Sequence, residues 1–323
     1  MEQTVQPSPR VNRLRLVTRV ARMYHEQGLN QPQIAGILHV SQTKVSRLLK
    51  RAEELGIVRV MVVPPTGGLS DLEEALISRF GLLDAIVADA PPDDEHAITA
   101  AVGAAAAAYL EDVLLGHERI GIASWSETLL AMVTFLTQRP QPVADSVTQL
   151  LGGVGMPEAQ VQATRLAERL AMLTGATPQF LPTPGVVSSS AMKDAMLAEP
   201  YVERVAQAWE DLTVLLAGIG SLEPTSLFQM SGNTVADADR EALLALNAVG
   251  CTCLRYFDAD GRHIASDLDS RVVGIEPETL FRVPRRVGVA GGSRKHAAIR
   301  AAVVGGWINV LVTDVNTANA LLS

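Results

Sequence analysis

Residues 30–56 read NQPQIAGILHVSQTKVSRLLKRAEELG, two short amphipathic segments joined by a two-residue break. Asn30 is placed to cap a first helix, with Gln33 reaching back from the third position. Ile34, Ala35, Ile37 and Leu38 supply its apolar face, and His39 and Val40 make the turn. Ser41 caps a second helix in which Val45, Leu48, Leu49, Ala52 and Leu55 recur at helical spacing, and Gly56 is placed to end it with positive φ. The opposite face carries Gln42, Thr43, Lys44, Ser46, Arg47, Lys50 and Arg51. These are the residue types that hydrogen-bond base edges and phosphates when a helix lies in the major groove. Basic residues opposite a core stripe occur on many surface helices, so charge by itself decides nothing. Cap, turn and polar face together point to a DNA-reading helix-turn-helix, with an ordinary helical hairpin as the alternative.

Charge is distributed to match. Residues 1–60 hold ten Lys or Arg against four Asp or Glu, a net of +6, and the other 263 residues hold 17 against 31, a net of −14, within the total of −8. A chain with a pI near 5.3 does not attract DNA through its average charge; a basic module on an acidic body confines the attraction to one face.

A length of 323 residues with 48% apolar content is ample for two or three domains with buried cores. The longest apolar tract, Ala97–Leu110, is too short to cross a bilayer of about 30 Å. The polar N-terminus has no signal-peptide core, so the expected location is the cytoplasm. The two cysteines, Cys251 and Cys253, share one face of an expected strand and lack the further ligands of a zinc site. The six histidines are scattered. No metal is expected.

A first helix from Arg13 to Gln27 should buttress the motif through Leu14, Val17, Val20, Ala21 and Tyr24, after a disordered stretch over residues 1–12. Its Arg13, Arg15, Arg19 and Arg22 suit either phosphates or solvent. Ile57–Val63 reads as a short wing strand, and Pro64, Pro65, Gly67 and Gly68 break regular structure. The expected organisation is therefore an all-α, winged helix-turn-helix domain over 1–63, a linker over 64–70 and an effector and oligomerisation domain over 71–323. Ser70 with Glu73 reads as a capping box. Strands are expected at Asp84–Ala88, Arg119–Ala123, Ser146–Leu151, Leu212–Ala217, Val287–Ala290 and Trp307–Thr313. Helices at His96–Leu115, Glu127–Gln138 and Glu158–Leu173 alternate with them, which is the pattern of an α/β domain with a mainly parallel sheet. Cys251–Phe257, the turn Asp258–Gly261 and Arg262–Ala265 read as an inserted hairpin.

Ligands of such sheets bind beyond the carboxyl ends of the strands. Four loops there carry suitable residues: Ser124-Trp125-Ser126-Glu127-Thr128, Gly152-Gly153, Gly218-Ile219-Gly220 and Gly291-Gly292-Ser293-Arg294-Lys295. Glycines after strands also serve plain tight turns. Neither a G-x-x-x-x-G-K-[ST] nor a complete G-x-G-x-x-G is present, so no nucleotide cofactor, and no cofactor of any kind, is indicated.

These residues carry a resemblance. Val-Ser-Arg-Leu-Leu at Val45–Leu49, Gly56-Ile57-Val58, Ile120-Gly121-Ile122-x-x-Trp125-x-x-Thr128-Leu129 and Phe257-Asp258-x-x-Gly261 are four of its parts. The others are Ala290-Gly291-Gly292-x-x-Lys295 and Gly305-Gly306-x-Ile308-Asn309-Val310-Leu311-x-Thr313-Asp314. Together they resemble the SorC family of sugar-responsive bacterial transcription regulators, over about Leu14 to Leu322. The resemblance implies an effector domain related in fold to sugar-phosphate isomerases and deaminases, a phosphorylated sugar or polyol as effector, double-stranded operator DNA as partner and a homotetramer. It makes Trp125, Ser126, Glu127 and Thr128 the loop that grips the effector, with Lys295 supplying a positive charge from the opposite strand end. Ser126 stands where Gly is frequent in the family, and Cys251 where an acidic or amide residue is common. Ser124 and Gly153 are further candidates, as are Asp267 and Asp269 before Val272-Val273-Gly274-Ile275, although a solvated turn explains the two aspartates equally well.

Two functions remain in play. One is a regulator of a carbohydrate-utilisation operon whose DNA affinity the effector sets. The other is a sugar-phosphate isomerase or deaminase with an appended DNA-binding module. Such chemistry needs a carboxylate or histidine at the reacting carbons. Glu127 is the sole carboxylate within the motif loops and no Asp/His pair accompanies it, which favours binding over turnover.

Overall fold

The computed structural model describes residues 9–58, 69–153, 157–223, 233 and 235–323. The chain divides into two compact units, Met1–Thr66 and Gly67–Ser323.

The first unit is helical, with α1 (Pro9–His25), α2 (Gln31–Leu38) and α3 (Gln42–Glu54). Local chemistry sets both ends of α2. The Asn30 side chain accepts from the Gln33 N–H while the Gln33 side chain accepts from the Asn30 N–H, and His39 closes the helix with φ 51°. Ser41 caps α3 on the Lys44 N–H, and Gly56 follows at φ 67°. Val20, Met23, Ile34, Val45 and Leu49 form one buried cluster, and Val17, Ala21 and Ala52 another. Four expected core residues are instead exposed: Leu14, Tyr24, Ile37 and Leu55. Three short helices cannot enclose every apolar position on their stripes, and these four lie at the stripe edges or helix ends. α1 begins at Pro9, so Pro9–Asn12 are helical rather than disordered. Of the expected wing strand, Ile57 and Val58 form a bend and the rest lies outside the described residues.

In the second unit seven parallel strands form one sheet in the order β1-β9-β8-β5-β2-β3-β4. They are β1 (Asp84–Ala88), β2 (Glu118–Ile122), β3 (Ala144–Gln149), β4 (Thr177–Gln179), β5 (Val214–Ala217), β8 (Arg285–Val289) and β9 (Val310–Asp314). Two groups of helices cover it, α4 (Leu69–Phe80) with α13 (His296–Val304) and α14 (Val315–Leu322), and α5 (Glu95–Val113) with α6 (Glu127–Phe135) and α7 (Pro157–Thr174). Ile120, Ile122, Leu215, Leu216, Val287, Val289 and Val310–Val312 are buried in the central strands, as expected of a sheet covered on both faces. Among the described residues no helix is long and apolar enough to cross a membrane.

Three local readings change. Of the expected linker, residues 64–68 lie outside the described residues, while Leu69 and Ser70 already belong to α4. Ser70 is therefore inside the helix, and the Glu73 carboxylate accepts from the Val87 N–H of β1 instead of capping. Trp307 lies before β9, not in it; it is fully buried with its Nε1–H donated to the Gly261 carbonyl. Finally, β6 (Gly250–Thr252) pairs antiparallel with β7 (Arg255–Phe257) by reversing at Cys253 and Leu254, at φ 50° and 61°. A two-residue hairpin turn needs such positive φ values and normally takes Asn or Gly for them, so Cys-Leu carried no turn signal. The expected turn at Asp258–Gly261 also forms, with Asp258 accepting from the Asp260 and Arg262 N–H groups.

Candidate functional site

On α3 the buried Val45, Leu49 and Ala52 orient the helix, and all seven candidate DNA contacts, Gln42, Thr43, Lys44, Ser46, Arg47, Lys50 and Arg51, are exposed. Arg51 is held by Glu54 at 2.8 Å, and no ion pair engages Lys44, Arg47 or Lys50 among the described residues. A polar, cationic helix face backed by a capped turn is the geometry that docks in a major groove.

In the second unit a cavity of about 460 Å³ opens beyond the carboxyl ends of β2, β5 and β8, the position that parallel sheets favour for ligands. Four of the candidates line it: Trp125, Ser126, Glu127 and Lys295, joined by the Gly218-Ile219-Gly220 loop. Ser126 caps α6 by accepting from the Leu129 N–H and shares a 2.9 Å hydrogen bond with Thr128, whose hydroxyl donates to the Val289 carbonyl at 2.8 Å. Thr128 thus ties this loop to the end of β8, and its role is to hold the loop rather than to face the cavity. Gly218 lets the loop after β5 pass close to Ser126, for a Cβ there would stand 2.6 Å from the Ser126 hydroxyl.

Lys295 ends the short helical turn Ser293–Lys295 that leads into α13. Its loop is pinned by the Gly292 N–H, which donates to Asp314 and Thr317. Burial draws the Lys295 ammonium below the usual lysine range, against the opposing pull of Glu127 and Glu95. No carboxylate pairs with it among the described residues. A half-buried, unpaired cation beside the first turn of α6 is suited to an anion.

The remaining candidates stand apart from the cavity lining. Gly153 supports it from behind: a Cβ at this position would lie 2.4 Å from the Trp125 indole, whose Nε1–H donates to the Gly152 carbonyl at 3.3 Å. Ser124 is buried, with no hydrogen-bond partner for its hydroxyl among the described residues. Asp267 is exposed and pairs with Arg271, which also holds Asp239 at 2.6 Å. Asp269 is occupied by Arg255 and His263.

Sequence reasoning passed over another wall. α10 (Asp237–Ala245) presents Asp237, Arg240 and Leu243 to the cavity, at a spacing of three that puts them on one face. The hairpin adds Cys251, Cys253, Leu254 and Tyr256. The helical spacing was present in the sequence, but nothing local connects it with strands far along the chain. Both cysteines are free, and burial pushes their thiols up to about 11 and about 12. They are not on one strand face as expected, since Cys253 is in the turn. No group of three or more metal-ligating residues occurs among the described residues.

A helix-turn-helix unit joined to a doubly wound α/β unit with a ligand-sized cavity is the plan of a ligand-responsive transcription regulator. Comparison with known proteins agrees. Residues 64–323 match the family model described as "Putative sugar-binding domain". The chain is 31% identical over 303 residues to the deoxyribonucleoside regulator of Bacillus subtilis (strain 168), covering 94% of this chain and 96% of that one. It is 28% identical over 313 residues to the sorbitol operon regulator of Klebsiella pneumoniae, covering 96% and 98%. The crystal structure of the full-length sorbitol operon regulator SorC from Klebsiella pneumoniae superposes with a TM-score of 0.71 at 26% identity, covering 97% of this chain and 100% of that one. The chain belongs to the SorC-type sugar-binding regulator family. It is a transcription regulator and not an isomerase or deaminase, as its named relatives are regulators.

Proposed function

We propose that this protein controls a carbohydrate-utilisation operon, binding double-stranded operator DNA through α3 and a phosphorylated sugar or polyol in the cavity of the second unit. The observation that carries the reading is Lys295, an unpaired and half-buried cation in a cavity at the strand ends of a chain that also bears a DNA-reading helix. Trp125 offers a flat apolar face for a sugar ring, and Ser126 and Glu127 offer hydrogen bonds to its hydroxyls. The relatives named for a sorbitol operon and for deoxyribonucleosides support a sugar-derived effector.

The protein acts as a homo-oligomer, a tetramer in this reading. Two copies of α3 then meet half-sites about 34–36 Å apart or a multiple of that, and a change in their spacing alters affinity. The effector shifts operator binding by as much as its affinity differs between the two arrangements, about 1–3 kcal/mol or roughly 5- to 150-fold.

Fluorescence anisotropy with DNA from upstream of the protein's own transcription unit, titrated with sugar phosphates and polyols at two salt concentrations, tests this. At least one compound is expected to change operator affinity by about fivefold or more. Arg47→Ala should lose operator binding and keep effector binding, whereas Lys295→Met should bind DNA normally and respond to no compound. Unchanged DNA binding by Arg47→Ala would sink the assignment of α3.

A further inference from the structure

Little holds α10 to the rest of its unit. Leu243 is the one buried residue of the helix, sharing a cluster with Leu254, Tyr256 and Leu268. Asp239 and Leu243 aside, every residue of α10 is exposed. Ala236 stands at the N-cap, so no side chain caps the first turn. At the other end Asn247, at φ 58°, turns the chain out of the helix, and the Ala248 N–H donates to the Leu243 carbonyl at 3.0 Å. A segment with so few buried apolar contacts belongs to the low-stability end of a fold, from which the lids of binding sites are drawn.

An ion pair fastens this helix. Asp239 meets Arg271, just beyond the short helix Asp267–Ser270, at 2.6 Å, and the two side chains are 18% and 16% exposed. Arg271 also pairs with Asp267 at 3.0 Å and donates to the Val187 carbonyl at 3.3 Å. When Asp239 leaves, the guanidinium therefore keeps two partners, and Asp239, carried on a helix open to solvent, gains water. Neither ion is stranded, and stranding an ion is what makes the loss of a buried pair costly.

The same helix lines the cavity with Asp237, Arg240 and Leu243. A ligand that touches these side chains when the helix is fastened, and not when it has swung out, binds the two arrangements unequally. Unequal binding is what lets a ligand shift an equilibrium.

We propose that α10 is a gate over the cavity and that the Asp239–Arg271 ion pair is its latch. What passes the gate rests on reading the cavity as the effector site; the gate itself rests on α10, Asp239 and Arg271.

The chain carries its own reporter. Its two cysteines, Cys251 and Cys253, both line this cavity and are buried, so the rate at which iodoacetamide alkylates them in the folded, full-length protein measures access. Burial raises both thiols and slows the reaction, but a comparison at one pH cancels that effect. Asp239→Ala removes the latch while placing a good helix former in α10. It is expected to speed alkylation by about tenfold or more, the order that a hydrogen bond between charged groups contributes. In both proteins the rate should change little between 0 and about 1 M urea, because swinging one helix exposes little surface, whereas access through unfolding rises steeply with urea. An unchanged rate in Asp239→Ala, or a steep urea dependence in the wild type, would overturn the gate. Ribose 5-phosphate, glucose 6-phosphate and sorbitol 6-phosphate, added to the wild type, test the underlying reading separately. Slower alkylation with any of them upholds the cavity as the effector site. Protection by none, with Asp239→Ala still faster, counts against that reading and leaves the gate standing.

Discussion

Gly153 is a position where one methyl group should alter function. A Cβ there would sit 2.4 Å from the Trp125 indole, so Gly153→Ala must push the ring toward the cavity or move the loop. Overpacking of this kind costs about 1–3 kcal/mol. Gly153→Ala is therefore expected to weaken effector binding by tenfold or more, following roughly 1.4 kcal/mol per decade, while DNA binding persists. Titration calorimetry checks the affinity. The indole can be followed by fluorescence, since Trp209 and Trp307 are only 5% and 0% exposed and their emission should stay constant. Lys295 gives a second expectation at this scale. Its pKa is depressed by burial, so affinity for an anionic sugar should be greatest where the ammonium is protonated. It should fall as pH rises through a value below the ordinary lysine pKa of about 10.4. Calorimetry across pH 7–10 measures it, and Lys295→Arg, whose guanidinium stays charged over that range, should flatten the pH dependence. The Trp125 loop and Lys295 were legible in the sequence because each lies next to its own strand end. The support of Trp125 by Gly153 was not, because it joins loops from two different strands.

Among the elements, the β6–β7 hairpin depends on Arg255. This side chain is fully buried, pairs with Asp269 and Glu276 at 2.9 Å each, and donates to the Gly274 and Ile275 carbonyls. Glu276 in turn holds Lys193 of α8 (Ser190–Leu197) at 3.1 Å. Removing one partner of a buried ion pair typically costs about 3–5 kcal/mol. Arg255→Ala is expected to lower the urea midpoint accordingly and, by loosening the hairpin that forms one cavity wall, to weaken effector binding as well. Burial alone would raise the Asp269 carboxyl, but the His263 hydrogen bond and the Arg255 guanidinium outweigh it and hold it below the usual carboxylate range. The stability this supplies is complete above the unfolded carboxylate value of about 3.9 and is lost as pH falls through the lower folded value. Acid unfolding followed at several pH values below 5 should be displaced in Arg255→Ala relative to the wild type. By contrast α2 and α3 were legible to within a residue, because Asn30, Gln33 and Ser41 cap them through neighbours three residues away.

For the molecule as a whole, charge separates the two binding events. If operator DNA is bound through Lys44, Arg47, Lys50 and Arg51, as proposed, counterions are released, and a regulator making 6–10 phosphate contacts loses about 10³–10⁵ in affinity between 50 and 200 mM salt. Effector binding at one half-buried cation should change far less over that range, because buried pairs are little screened. Anisotropy and calorimetry in the same salt series compare the two, and equal salt slopes would show that Lys295 is not the principal anchor. The sequence by itself determined the helix-turn-helix, the basic and acidic halves, the parallel α/β class and the loops at the strand ends. All of these rest on caps, spacing and apolar runs within a few residues of one another. Tertiary structure alone decided the strand order β1-β9-β8-β5-β2-β3-β4, the reversal at Cys253–Leu254, and the meeting of α10 with the hairpin and Lys295. The strand order and that meeting depend on contacts between segments tens to hundreds of residues apart, whose energies no local pattern records, and the reversal is local but made by residue types that carry no turn signal.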